Sequence, residues 1–140
     1  MMGQMENFTF RVLKQDTQTK ARQGEIQTSR GTIQTPVFMP VGTAATVKTM
    51  DLRDLAELKA EIILANTYHL MLRPGQEVFE EFGGIHTFMG WKKPLLTDSG
   101  GYQIICLPSH RKITEDGASF RSYVNGDAFL LSPEKSIQMQ

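Results

Sequence analysis

The sequence predicts an α/β fold in which parallel βα units follow a small antiparallel sheet. Two observations predict it. Up to residue 35 apolar and polar residues alternate with a period of two, and beyond it short apolar runs alternate with helical stretches over short links.

In the first segment Phe8, Phe10 and Val12 fall on one face, and Ile26/Thr28 and Ile33/Thr35 flank the turn-prone Ser29-Arg30-Gly31. Residues 1–35 are therefore expected to form the antiparallel sheet. Residues 36–41 read as the first strand of the parallel array, with Pro36 and Pro40 near its ends, where a missing N–H does least harm. Over 51–60, Leu52, Leu55 and Leu58 line one side behind Asp51, an N-cap residue, which predicts a helix. The aliphatic run 62–65 is too short for a helix and predicts a buried strand. Val78, Phe79 and Phe82 at helical spacing, early glutamates and the stop at Gly83-Gly84 predict a helix over 74–82. Leu95–Thr97, after the Lys92-Lys93-Pro94 turn, is the third strand. An insertion is expected over 104–131: a polar loop at 108–117, then strands 120–124 and Ala128–Leu131 joined at Asn125-Gly126, a strong hairpin turn. A last helix opens at Ser132 with Pro133 in its first position and reaches Gln140 without a C-cap, as in the front part of a longer protein.

Composition narrows the class. With 140 residues the chain makes a single domain, 1–140, divided into the sheet (1–35) and the βα units (36–140). A single cysteine excludes a disulfide scaffold and points to a reducing, cytoplasmic setting. No apolar run approaches the roughly 20 residues of a bilayer span, and the start Met1-Met2-Gly3-Gln4-Met5 has no signal-peptide pattern. Lys+Arg and Asp+Glu balance at 15 each, so a nucleic-acid partner would be held by a local patch and not by bulk charge.

Polar clusters follow the three expected parallel strands: 42–46, then Asn66-Thr67-Tyr68-His69, then Asp98-Ser99-Gly100-Gly101-Tyr102-Gln103. Parallel strands bring their carboxyl ends to one face, so the clusters are expected to converge. In the third, paired glycines let the backbone approach a ligand closely, Asp98 and Ser99 supply hydrogen-bonding groups, Tyr102 can stack on a flat ligand, and Gln103 can read its edge. The same residues are also ordinary turn formers. His69, His86 and His110 stand without a second ligand at metal spacing and read as structural or surface residues. Cys106, in an apolar run, reads as a small buried hydrophobe. Lys92-Lys93 and Arg111-Lys112 are basic pairs expected near the functional face, where they can meet phosphates or simply be solvated.

Four stretches in order, 35–43, 66–75, 96–103 and 131–136, resemble the tRNA-guanine transglycosylases (queuine tRNA-ribosyltransferases) of the bacterial type, a resemblance running from about Phe10 to Gln140. It implies the N-terminal part of a (β/α)8 TIM barrel with an added antiparallel sheet. The implied activity is exchange of guanine at the tRNA wobble position for a 7-deazaguanine such as prequeuosine-1, by double displacement at ribose C1′. Asp98 matches the aspartate that handles protons on the exchanged bases, Tyr102 the aromatic that stacks on the base, and Asn66 a motif lining the ribose side. Asp98, Ser99, Gly100, Gly101, Tyr102, Gln103 and Asn66 form the implied substrate site. Implied partners are the tRNA anticodon region, the guanine or 7-deazaguanine base and, at full length, a second copy of the protein, with no membrane. The family's zinc site of three cysteines and one histidine, and its nucleophilic aspartate, have no counterpart here, so no metal ligand is named and these 140 residues alone are expected to be inactive. A barrel of this kind takes roughly 250 residues. Two other readings are a non-catalytic tRNA-binding subunit, which the intact Asp98 cluster disfavours, and a small independent phosphate- or nucleotide-binding α/β domain.

Overall fold

A computed structural model describes residues 8–106 and 111–140. Its opening sheet follows the alternation: β1 (Thr9–Gln15), β2 (Arg22–Thr28) and β3 (Gly31–Thr35) pair antiparallel in that order. Phe10 stands opposite Ile26 and Ile26 opposite Ile33, a row of apolar side chains across the sheet that ends at the buried Ile33. β1 is exposed along its whole length.

The strand expected over 36–41 does not form. Only Val41 pairs, in a single parallel bridge to Leu64, with Pro40 carbonyl accepting from Leu64 N–H at 2.9 Å and Gly42 N–H donating to Leu64 carbonyl at 2.7 Å. Pro36 and Pro40 have no N–H to give a ladder, which leaves the segment only the pairing around its last residue.

α1 (Leu52–Glu57) begins where Asp51 predicts: the Asp51 carboxylate accepts from Arg53 and Asp54 N–H, and Asp54 accepts from Asp51 N–H in return, a reciprocal cap. Its buried Leu55 packs with Ile63 and Trp91. The strand of that cluster, β4 (Ile63–Ala65), pairs in parallel with β5 (Leu95–Thr97), Ala65 opposite Thr97. Ile63 and Ala65 are fully buried.

Three helices, not one, connect β4 to β5. α3 (Gln76–Glu81) is the helix expected over 74–82, while α2 (Thr67–Leu72) and α4 (Ile85–Met89) were not anticipated. α2 works in two directions. Tyr68 packs with Ile104, Ala118, Phe120 and Leu131, and Leu70 packs with Ala45, Ala65 and Phe79.

The expected insertion begins instead with a helix, α5 (Gly101–Cys106). Of the loop expected over 108–117, residues 108–110 lie outside the described residues, and the remainder is β6 (Arg111–Thr114) and its turn into β7 (Gly117–Arg121). β8 (Ala128–Leu131) completes a three-stranded antiparallel sheet in the order β6-β7-β8. A polar composition therefore hides a strand: β6 is exposed at every residue and needs no apolar side chains beyond Ile113. The strand expected over 120–124 stops at Arg121, after which Ser122 N–H bonds Asp127 carbonyl and Gly126 N–H bonds Ser122 carbonyl, closing the turn at Asn125-Gly126. α6 (Pro133–Met139) starts on Ser132, whose hydroxyl accepts from Lys135 N–H at 3.2 Å, as its sequence predicts. No helix among the described residues is long and apolar enough to cross a membrane.

Candidate functional site

Because β4 and β5 run in parallel and in register, the residues leaving their carboxyl ends, Asn66 and Asp98, come out side by side. Asn66 is the N-cap of α2, and its side-chain oxygen accepts from His69 N–H at 3.2 Å. That bond fixes the amide, so its nitrogen is left to donate to Asp98 Oδ2 at 2.5 Å. Asp98 Oδ1 accepts from two backbone donors, Thr67 N–H and Gly100 N–H, each at 3.0 Å. A half-buried carboxylate thus has three donors on it, the arrangement an anionic group needs when it is drawn out of water.

Gly100 is required here by packing as well as by conformation. Its φ is +71°, and a Cβ at this position would lie 2.7 Å from Tyr68 N. The close backbone approach expected of the glycine pair is therefore made to α2. Ser99 is exposed, and its hydroxyl accepts from Gly101 N–H at 3.3 Å at the start of α5. Tyr102, 75% exposed, and the half-buried Gln103 stand on the first turn of that helix, directly after the Asp98 turn.

Helical periodicity decides the fate of the Ile104-Ile105-Cys106 run. Only Ile104 faces the core, while Ile105 and Cys106 are exposed, which corrects the expectation of a buried cysteine. Cys106 sits one turn beyond Tyr102, and its thiol is the main influence raising the Tyr102 phenol above its ordinary pKa.

His69 packs edge-on to Tyr68, with ring centroids 5.2 Å apart, and its Nδ1 lies 3.1 Å from the Tyr123 hydroxyl. Burial pulls its pKa below the ordinary 6.5; Asp98 acts in the opposite sense, and Lys48 reinforces the lowering. His86 and the Lys92-Lys93 pair belong elsewhere. His86 Nε2 meets Lys93 carbonyl at 3.1 Å, and Lys93 Nζ donates to Ala60 carbonyl at 2.7 Å. Both contacts are at the amino ends of β4 and β5, opposite Asp98, because Lys93 precedes β5 and Ala60 precedes β4; the expectation that this pair lies near the functional face is thereby corrected. Arg111 and Lys112 are exposed on β6, and His110 lies outside the described residues.

Two of the three expected clusters meet at Asp98. The first, 42–46, touches β4 through the Gly42 backbone, and no side-chain hydrogen bond ties it to Asp98 among the described residues. The meeting of Asp98 with the Asn66-Thr67 cluster is as the converging strand ends predict, the carboxylate accepting from both the Asn66 amide and Thr67 N–H. The sequence does not single out Tyr68, which forms the wall behind Gly100, or Ser136, whose hydroxyl donates to Ser99 carbonyl at 3.0 Å. The available signal for Tyr68 was Asn66, a residue type that opens helices, immediately after a strand. Among the described residues no group of three or more His, Cys, Asp or Glu is placed to hold a metal ion, so the donor set does not fit a zinc site and no chemistry is routed through one.

The family model for queuine tRNA-ribosyltransferase matches residues 16–140. The chain belongs to this family. Curated queuine tRNA-ribosyltransferases from Shouchella clausii, Listeria welshimeri and Enterococcus faecalis are 55%, 54% and 55% identical to it over 94%, 97% and 94% of its length. Those matches cover 34%, 36% and 34% of the relatives, so the chain spans about a third of the length of the queuine tRNA-ribosyltransferases it resembles.

Proposed function

We propose that this chain supplies the base-exchange half of a tRNA-guanine transglycosylase site: the Asp98 turn receives guanine or a 7-deazaguanine, and Asp98 moves protons on the departing and arriving bases. The observation that carries the reading is the Asp98 carboxylate itself, held by Asn66, Thr67 and Gly100 at the carboxyl ends of two parallel strands, with the exposed Tyr102 one turn away. The protons balance over the exchange: the arriving base gives its ring N–H proton to the Asp98 carboxylate as it bonds C1′, and the carboxyl group so formed protonates the purine anion that departs in the next turnover. Tyr102 offers a free ring face for stacking, Ser99 and Gln103 offer polar edges, and Gly100-Gly101 shape the turn. The covalent step at ribose C1′ is assigned to an aspartate outside these residues, in keeping with the family resemblance, and zinc to ligands outside them.

In this reading 1–140 is one domain, β4 and β5 are strands of a (β/α)8 barrel with the Val41 bridge in the place of the strand before them, β1–β3 are its added sheet, and β6–β8 form the insertion after the third barrel strand. The partners are the tRNA anticodon region, the base and, at full length, a second copy, in the cytoplasm.

The test is a fusion of this chain with the part of the Listeria welshimeri relative that the match does not cover, incubated with unmodified tRNA and labelled guanine. Incorporation is expected, and Asp98→Asn, which keeps the shape and removes the proton chemistry, should lower its rate by about 10² to 10⁴-fold. An Asp98→Asn rate within about tenfold of the parent would remove Asp98 from its role.

A further inference from the structure

We infer that Ser136 is a positioning residue for Asp98. The inference rests on the functional reading above for its meaning, but its geometry stands apart from it. Ser136 is 8% exposed, on the inner side of α6, and its hydroxyl donates to Ser99 carbonyl, 37 residues away in the chain. The Ser99 carbonyl can only accept, so the one hydrogen of the hydroxyl goes to it and the hydroxyl oxygen is left to accept. Gln140 supplies that donor: its Nε2 donates to Ser136 Oγ at 3.2 Å and to Ser136 carbonyl at 3.1 Å, while its Oε1 accepts from Thr97 Oγ1 at 3.4 Å.

Ser99 lies between the two residues that matter. Asp98 precedes it and Gly100 follows, with the left-handed φ and the N–H that returns to Asp98 Oδ1. A turn of this kind can rotate as a unit about the peptide planes on either side of Ser99. One plane is held when the Ser99 carbonyl is tied to α6, and the Gly100 N–H, which belongs to that same peptide group, is then aimed at the Asp98 carboxylate. α6 is itself anchored: Met139 packs against the buried cluster of Ala45, Ala65, Leu70 and Phe79. Ser136 therefore transmits the position of a core-anchored helix to the carboxylate through one backbone carbonyl, without a hydrogen bond to Asp98 itself.

Amide hydrogen exchange on the 140-residue chain tests this without requiring any base exchange, so that its failure and the failure of the functional reading are separable. Ser136→Ala should speed exchange at Gly100 N–H by about fivefold, the effect of losing one ordinary hydrogen bond, while Leu64 N–H in β4 stays within twofold. Ser136→Thr, which retains the hydroxyl, should restore the Gly100 rate. Ser132→Ala supplies the control, since it removes the cap of α6 and leaves the Ser99 contact in place. Gly100 protection that is unchanged in Ser136→Ala, that falls equally in Ser132→Ala, or that falls together with Leu64 overturns the inference, because each would reduce Ser136 to a general contributor to helix or fold stability.

Discussion

The N-terminal sheet and the β4–β5 pair are opposites. β1–β3 is held by strands adjacent in sequence, joined through short turns, and its first strand is exposed throughout. β4 and β5 are three residues each and begin 32 positions apart; β4 is largely buried, while β5 is half-buried with Leu96 exposed. The polar groups with functional promise gather at the second. Antiparallel pairing through local turns needs little from the rest of the chain, whereas a short parallel pair exists only where helices cover it, and that covering is what brings Asn66, Asp98 and Ser136 together from distant parts of the sequence.

The contrast predicts where substitutions hurt. The largest effect on stability is expected at Tyr68, fully buried against Phe120 and Ile104: Tyr68→Ala should cost about 3 to 5 kcal/mol in denaturant unfolding, while Phe10→Ala on the half-exposed face of β1 should cost less than about 1.5. Equal costs would break the comparison. Next comes a pair of glycines. Gly100→Ala forces both a left-handed φ and a contact 2.7 Å from Tyr68 N, whereas Gly126→Ala meets a positive φ with nothing within 4 Å. About 2 kcal/mol or more is expected at Gly100 and about 1 at Gly126, read from the shift in unfolding midpoint at constant slope.

Acidification should act on the helical layer around the parallel pair. His69 and His86 have pKa values below the ordinary 6.5, each chiefly through burial. The unfolded chain then binds more protons, so the stability these residues contribute is complete above pH 6.5 and is lost as the pH falls through that value towards their folded-state pKa. The melting temperature should drop between pH 7 and 5.5, and the double substitution His69→Gln, His86→Gln should flatten the drop; an unaltered slope would show that other groups govern it. The smallest effect is expected at the Arg11–Glu25 ion pair of the N-terminal sheet, whose arginine side chain is 70% exposed. Arg11→Met should change stability by no more than about 0.5 kcal/mol, and a larger loss would mean that the first sheet is less self-sufficient than its local pairing implies.

Legibility in the sequence follows the same division. The hairpins of β1–β3, the strands 62–65 and Leu95–Thr97, and the caps Asp51 and Ser132 were readable, because each depends on a local period or on one residue type at one place. α2, α4 and α5, of five or six residues, were not, whereas the equally short α1 and α3 were marked by leucines spaced behind Asp51 and by Val78, Phe79 and Phe82 ahead of Gly83-Gly84. α5 also opens on a glycine and carries two β-branched isoleucines, all weak helix formers, so tertiary contacts of Ile104 override propensity there. The strand at 36–41 failed for the reverse reason: its apolar composition suited a sheet, while its two prolines denied it the donors. At the candidate site, Asp98 and Asn66 stood out by their position after strands. The third support, Ser136, did not, since nothing local distinguishes a serine on one side of a helix from one on the other.

That third support has a consequence in time. Chains emerge from the ribosome at about 5 to 20 residues per second, and Ser136 follows Ser99 by 37 positions. For about two to seven seconds of synthesis the Asp98 turn therefore exists without its tether, its carboxylate able to swing and the underside of β5 not yet met by α6. The segment that completes this corner is made last among the 140 residues, so a nascent chain arrested before Ser136 should leave the Gly100 amide unprotected while β1–β3 is already paired.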